Sequence, residues 1–493
     1  MGKIRSQSLY TIFNAYAGVV LGFVFVTYLF PRYFSEEEIG FRSFLTEIAA
    51  ILAQLCVFGF GSTINKFYPI YRKGKEDGGF MLLALLVPLA FFSLLVIILT
   101  FFKAPILTLM GEEEGLLSKY YFLFFPFIFL NMYFFISDAY AKAHFNIART
   151  QFFKDVILRV LFILSVLTYV YYNIPEGYFW WLYLGCYFII FLLMISHVFY
   201  LGNFSSSFKI NFFHKLHFRP IFHFSLFNFL TAAAAKISFR IDIVMVTAFF
   251  GLAEAGIYAY STYLISLLEI PKKSVMAISI PYISTFWKDR NMHELNKLYK
   301  NISANQFALG ALVLGLLMLL IDYFYLVVPK GEFFSAGKWV MFFLGISKLV
   351  DMVFSINGQL LVYTRYSRYN LYFVLIMVVI AIALNMLLIP VLGMNGAAIA
   401  TMLTYFIFNV MRSYLVWSKL GLQPFSKNTF YVLVISLFGF FAAYFIPDTE
   451  HMLLSALIKS LVFSVVYIGL ILYFNLSDTL KEVIVRLLDK INK

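Results

Sequence analysis

Only two of the 493 residues are cysteines, Cys56 and Cys186. Both sit inside apolar runs, which excludes a disulfide framework and leaves them as small buried residues. Charge is scarce too. Asp, Glu, Lys and Arg make up 13% of the chain, about half the share of a soluble domain, so an ordinary water-facing surface is excluded. No P-loop, G-x-S-x-G, H-E-x-x-H or C-x-x-C pattern occurs. Nucleotide hydrolysis and metal catalysis are therefore not expected, the chain does not read as an enzyme, and no cofactor is expected. The apolar runs lack the two-residue alternation of a barrel strand. Basic residues are scattered over short loops, where nucleic-acid binding would need them clustered on a folded surface. His214, His217 and His223 read as a hydrated basic loop, and the acceptor triplets at Asn203, Asn301 and Asn475 as chance matches.

What the chain has in excess is apolar surface: 62% hydrophobic residues and a mean hydropathy of +0.86. In lipid each backbone group must be satisfied within its own helix, so the composition predicts an all-α integral membrane protein. At about 20 apolar residues per crossing, fourteen spans are expected, over residues 8–30, 41–68, 80–102, 119–141, 154–172, 179–201, 220–249, 256–286, 304–327, 339–363, 370–390, 395–417, 428–446 and 453–475. The first follows Met1-Gly2-Lys3-Ile4-Arg5 without a small-residue cleavage site and reads as a transmembrane helix, not a removable signal. With this alternation, 23 Lys and Arg fall on the side of the N-terminus. Only Arg32, Lys103, Lys119, Lys330 and Lys338 fall opposite. The positive-inside rule then puts both termini in the cytoplasm. The acidic runs Glu36–Glu38 and Glu112–Glu114 read as solvated outer loops.

Phe34-Ser35-Glu36-Glu37-Glu38-Ile39-Gly40 aligns with Phe250-Gly251-Leu252-Ala253-Glu254-Ala255-Gly256, and the same shift carries the fifth span onto the eleventh. This faint repeat predicts two six-helix lobes in like orientation. The expected organisation is a first lobe at 1–205, a link at 206–219, a second lobe at 220–417, two extra helices within 428–475, and a tail at 476–493. The tail carries apolar residues at helical spacing and reads as an amphipathic helix on the inner leaflet.

Ionisable residues inside spans mark function by default, since each costs roughly 2.5–3.5 kcal/mol at the bilayer centre. The basic set is Lys236, Arg240, Lys272, Lys273 and Lys348; the acidic set is Glu47, Asp242, Glu269 and Asp351. On continuous helices Lys236 and Arg240 share a face, as do Glu269 and Lys273, while Lys348 and Asp351 form an i, i+3 pair. These charges are expected to pair off or to line a wet cavity. Pro271 is expected to bend its helix and serve as a hinge. Arg42, Lys66, Arg159, Arg412 and Lys459 lie nearer span ends and read as snorkelling groups.

Glu38-Ile39-Gly40-Phe41, Phe58-Gly59-Phe60-Gly61-Ser62-Thr63, Asp242, Ala255-Gly256-Ile257-Tyr258-Ala259-Tyr260-Ser261 and Ile280-Pro281 form a pattern with Ile389-Pro390-Val391-Leu392-Gly393-Met394-Asn395-Gly396-Ala397-Ala398-Ile399-Ala400-Thr401. The pattern resembles the polysaccharide-transport flippases, of the Wzx O-antigen type, in the multidrug/oligosaccharidyl-lipid/polysaccharide exporter superfamily. Glu47 departs from it, standing where a small or neutral residue would be expected. The resemblance implies a V-shaped bundle in a bacterial inner membrane, with a central cationic cavity. It implies as substrate an undecaprenyl-diphosphate-linked oligosaccharide moved from the cytoplasmic to the periplasmic leaflet for O-antigen, capsule or another surface polysaccharide. Membrane lipids, a polysaccharide polymerase and a chain-length regulator are the implied partners. The alternatives are a lipid II or teichoic-acid flippase and a cation-coupled multidrug exporter. A diphosphate needs cations in a low-dielectric site, which points to Lys236, Arg240, Lys272 and Lys273, with Lys348 behind them. Glu47, Asp242, Glu269 and Asp351 are the candidate ion-pair or coupling residues.

Overall fold

The computed structural model describes residues 2–73, 77–144, 146–201, 218–238, 240–362, 364, 366–477 and 481. Most of the expected link and tail, with Asn203, His214 and His217, lies outside the described residues, as do the side chains of Pro271 and Lys273. Every regular element among the described residues is a helix. The helices pack into two compact units, Met1–Gly256 and Ile257–Lys493.

Ten helices among the described residues are long and apolar enough to cross a membrane, against fourteen expected spans. The shortfall has local causes. The expected fifth span carries a π-helical turn at Phe153–Ile157, so only Leu158–Tyr171 is left as uninterrupted α-helix. The eighth is interrupted by a 3-10 turn at Ser266–Leu268. The tenth breaks at Ser355, whose φ is 46°. The eleventh and twelfth run together as Ser367–Leu420.

In the first unit, Ser35 opens the Glu36–Cys56 helix with a reciprocal cap. The Glu38 amide donates to the Ser35 hydroxyl at 3.2 Å, and the Ser35 amide donates to the Glu38 carboxylate at 2.8 Å. The acidic run expected to be loop is therefore the first turn of a helix, and Glu38 is buried. Such charge also suits the positive end of the helix dipole. The expected second span breaks after Cys56. Phe58 and Gly59 take left-handed φ values of 46° and 74°, and a new helix runs from Phe60 to Lys73. Across this break the Thr63 and Ser225 hydroxyls meet at 2.7 Å. The core is aromatic. Phe41 stands edge-on to Trp180 at 4.7 Å, Phe34 tilts onto Phe179 at 4.3 Å, and Phe162 stacks on Tyr183 at 4.6 Å. Gly40, at the repeated motif, lies so close to Leu252 that a β-carbon would overlap the Leu252 carbonyl. Gly256, its counterpart in the repeat, packs in turn against the Gly40 backbone.

In the second unit the last two helices, Lys427–Tyr444 and Met452–Tyr473, pack on the Met292–Val327 helix. Phe307, Ala308, Ala311, Val432, Phe463 and Tyr467 form their shared core. The buried Tyr467 hydroxyl donates to the Ala308 carbonyl at 2.8 Å. Many of the remaining large side chains face outward, such as Phe430 at 65% and Phe438 at 60% exposure, as a lipid-facing surface requires. Within Ser367–Leu420 the chain reverses at Gly393, where φ is 63° and ψ −146°, a region open almost solely to glycine. Gly396 comes so close that a β-carbon there would overlap the Leu388 carbonyl. Gly393→Ala is expected to cost roughly 1–3 kcal/mol, read as a lower unfolding midpoint of the purified chain in detergent. An unchanged midpoint would show that the corner relaxes freely.

Candidate functional site

The first unit gathers charge around Lys236. Between Ser238 and Ile241 the expected seventh span is interrupted: one helix ends at Ser238, and another, Ile241–Phe250, begins with Arg240 as its N-cap. Lys236 and Arg240 are therefore not held on one face by helical spacing, as a continuous helix would have it. Arg240 instead pairs with Glu47 across to the Glu36–Cys56 helix at 2.9 Å. The pair suits its position, because a guanidinium at a helix N-terminus adds to the positive end of the dipole and calls for an anion. Asp242, in the first turn, is buried and accepts a hydrogen bond from the Ile243 amide at 2.9 Å.

Lys236 is half-buried and forms no ion pair with a described residue. Its charged neighbours are Glu47, Arg240 and Lys154. Lys154 projects from the π-helical turn Phe153–Ile157, 5.1 Å from the centre of the Phe134 ring. The group therefore holds three cations and one carboxylate. Counting back from Phe250 and forward from Phe218, Lys236 lies some 20–27 Å from either end of the interrupted span at 1.5 Å per residue. It sits near the middle of an apolar crossing. Arg240 and Glu47 keep 32% and 23% of their side-chain accessibility. Lipid contact would be costly for either charge at that depth, and their mutual pairing offsets part of that cost.

In the second unit the charges interlock in a different order from the one helical spacing suggests. Lys348 pairs with Glu269 at 2.7 Å, and Lys272 pairs with Asp351, so the expected Lys348–Asp351 pair is replaced by two bridges between helices. A lysine and an aspartate three residues apart can meet, but each found a partner on the Glu269–Lys288 helix instead. Polar groups tie the network to the Ser367–Leu420 helix. Asn409 donates to Asp351 at 3.4 Å and Asn357 to Asn409 at 3.2 Å, while Lys348 reaches the Tyr405 hydroxyl at 3.4 Å. Arg412 hydrogen-bonds Asn370 at 2.5 Å and lies 3.9 Å from the centre of the Phe408 ring. It is thus held inside the unit, contrary to the snorkelling expected of it. Pro271 is the third residue of the Glu269–Lys288 helix, just after the 3-10 turn. Its missing amide there costs no helical hydrogen bond.

The other expected snorkelling cations divide. Lys459 reaches Asp448 at 2.7 Å, and Arg159 pairs with Asp155 one turn before it. Lys66 sits 3.9 Å from the Phe224 ring centre. Arg42 lies 5.0 Å from the Phe30 ring centre, inside the aromatic core, contrary to expectation. Lys142 and Asp138, one helical turn apart, pair at 2.6 Å. Sequence reasoning missed Tyr405 and Asn409, although their four-residue spacing, continued by Arg412, marks one helix face. It also missed Lys154, for which no sequence signal exists, since only tertiary packing brings it to Lys236.

A family model described as polysaccharide biosynthesis protein matches residues 5–287. A structure of the lipid II flippase MurJ in an inward closed conformation superposes with a TM-score of 0.76 at 17% identity, covering 95% of this chain and 98% of that one. A point mutant of the Vibrio cholerae MATE transporter VcmN gives 0.58 at 13% identity, over 85% of this chain and 96% of that one. An uncharacterized membrane protein of Methanocaldococcus jannaschii is 25% identical over 188 residues, which is 37% of this chain and 42% of that relative. The fold is thus one shared with the solved lipid II flippase MurJ and with MATE multidrug transporters.

Proposed function

The chain belongs to the polysaccharide biosynthesis protein family, and on that premise we propose that it flips a polyprenyl-diphosphate-linked oligosaccharide across a bacterial inner membrane, from the cytoplasmic leaflet, where both termini lie, to the outer one. The observation that carries this reading is Lys236: an ammonium group near mid-membrane, without an ion-pair partner among the described residues, beside an Arg240 already steadied by Glu47. A diphosphate supplies the missing anion. Interrupted helices are a common way to build such a site, because a helix N-terminus inside the membrane offers free amides to an anionic group. Arg240 at the start of Ile241–Phe250 places a guanidinium at that end. Lys272 and Lys348 of the second unit are each already bound to a carboxylate, and so offer an anion less than Lys236 does. The transfer has an electrical driving force. Moving two negative charges outward through an inside-negative potential of 100 mV releases about 4–5 kcal/mol.

The test is flipping in proteoliposomes, read as glycan reaching a membrane-impermeant lectin. Lys236→Ala is expected to slow it about tenfold or more, as loss of a charge-assisted contact worth roughly 1.5–3 kcal/mol would. Lys236→Arg should restore most of the rate. Equal rates for wild type and Lys236→Ala would remove the proposed contact. Flipping of lipid II or efflux of an organic cation, without flipping of the polyprenyl-linked oligosaccharide, would replace the substrate.

A further inference from the structure

Away from these charges, the second unit carries a polar cleft of about 700 Å³, open mouth included. His293, Asn296, Lys297, Lys300 and Asn301 line it from the first turns of the Met292–Val327 helix, and Ser426 and Asn428 from the start of Lys427–Tyr444. No carboxylate lines it. The lining consists of two ammonium groups, three amides, a hydroxyl and an imidazole, a set rich in donors and suited to phosphate oxygens. Ser426 is fixed by its capping box with Thr429, where the Thr429 amide donates to the Ser426 hydroxyl at 3.4 Å. Asn296 is oriented by accepting a hydrogen bond from the Gln423 amide at 3.3 Å.

The level of the cleft in the membrane decides the source of that phosphate. Both helices turn apolar just past it. Met292–Val327 does so two turns on, from Phe307 onward, and Lys427–Tyr444 does so at Phe430 and Tyr431, which are 65% and 49% exposed. A group seated among Lys297, Lys300 and Asn428 therefore sits at headgroup depth, above the apolar stretches of both helices. We propose that this cleft binds the phosphodiester headgroup of an anionic phospholipid such as phosphatidylglycerol, which docks against the second unit. The site is distinct from the Lys236 group and does not depend on the substrate proposed above.

The test is thermal unfolding of the full chain in a neutral detergent, titrated with phosphatidylglycerol, phosphatidylcholine or inorganic phosphate. Phosphatidylglycerol is expected to raise the midpoint; the other two should not at equal concentration. In Lys297→Ala/Lys300→Ala the half-maximal phosphatidylglycerol concentration should rise at least about tenfold. Lys288→Ala/Arg290→Ala, which removes the same charge outside the cleft, should behave as wild type. Three results would overturn the proposal: an unchanged titration in Lys297→Ala/Lys300→Ala, an equal loss in the Lys288/Arg290 variant, or an equal shift from inorganic phosphate. Asn428→Leu, at an exposed position of the cleft, repeats the test if the double variant folds poorly, with the same expected weakening and the same overturning result.

Discussion

Gly40→Val should lower the stability of the purified chain by about 3 kcal/mol or more, the upper end of what overpacking costs. The reason is backbone against backbone. A β-carbon at Gly40 would overlap the carbonyl of Leu252, which no rotamer can move, and one at Gly256 would stand 3.0 Å from the Gly40 amide nitrogen. Helices in lipid have no hydrophobic drive toward one another and rely on such close approach, which small residues permit. Even Gly40→Ala should be costly, because the first added carbon already collides. Gly61 is the control. It also lies in a helix, but nothing stands within 4 Å of its β-position, so Gly61→Ala should stay within about 0.5 kcal/mol of wild type or gain slightly from helix propensity. Unfolding midpoints in detergent compare the three variants. A Gly40→Val midpoint equal to that of Gly61→Ala would mean that the two segments separate without loss.

Asp351→Leu should cost roughly 3 kcal/mol. That is the low end of the range for breaking a buried pair, chosen because Asp351 and Lys272 keep 21% and 23% of their side-chain accessibility and are partly screened. The loss comes less from the missing attraction than from what remains. Without the carboxylate, Lys272 loses its ion-pair partner, the nearby Lys348 and Arg412 lose a neutralising charge, and Asn409 loses an acceptor. Lys272→Met/Asp351→Leu, which removes both charges and keeps the volume, should recover most of the stability, since apolar replacements of buried pairs are often neutral. The double-mutant cycle isolates the coupling. A coupling energy below about 0.5 kcal/mol would show that Lys272 re-pairs freely with Glu269, and that the order of the bridges is unimportant.

Fold class and most spans were legible because apolar runs of about 20 residues leave few alternatives in lipid. Helix interruptions were not. Neither Ser355 nor the segment from Ser238 to Ile241 carries a proline or glycine, and the breaks there follow from tertiary packing. Gly59 and Gly393 are the legible cases, because glycine at a left-handed position has a local cause. The cap at Ser35 was also readable, since serine followed three residues later by glutamate is a helix-start signature, but the run of three glutamates drew attention to charge instead. For the site, sequence located the ionisable residues and could not assign their partners. Lys348 lies one turn from Asp351 in sequence, yet its ion-pair partner is Glu269, 79 residues away. Such choices depend on how three helices are rotated against one another, which no spacing along one of them reveals.

The reversal at Gly393 has a further consequence. Two long helices meet there with no loop between them, so the corner has no slack. Inserting or deleting a single residue between Leu388 and Gly396 would turn everything downstream by about 100° about the helix axis. Tyr405, Asn409 and Arg412, which now meet Lys348, Asp351 and Asn370, would swing off their partners together. A one-residue length change at the surface would thus be felt as a loss of register deep in the membrane, whereas the same change in a longer connection would be absorbed.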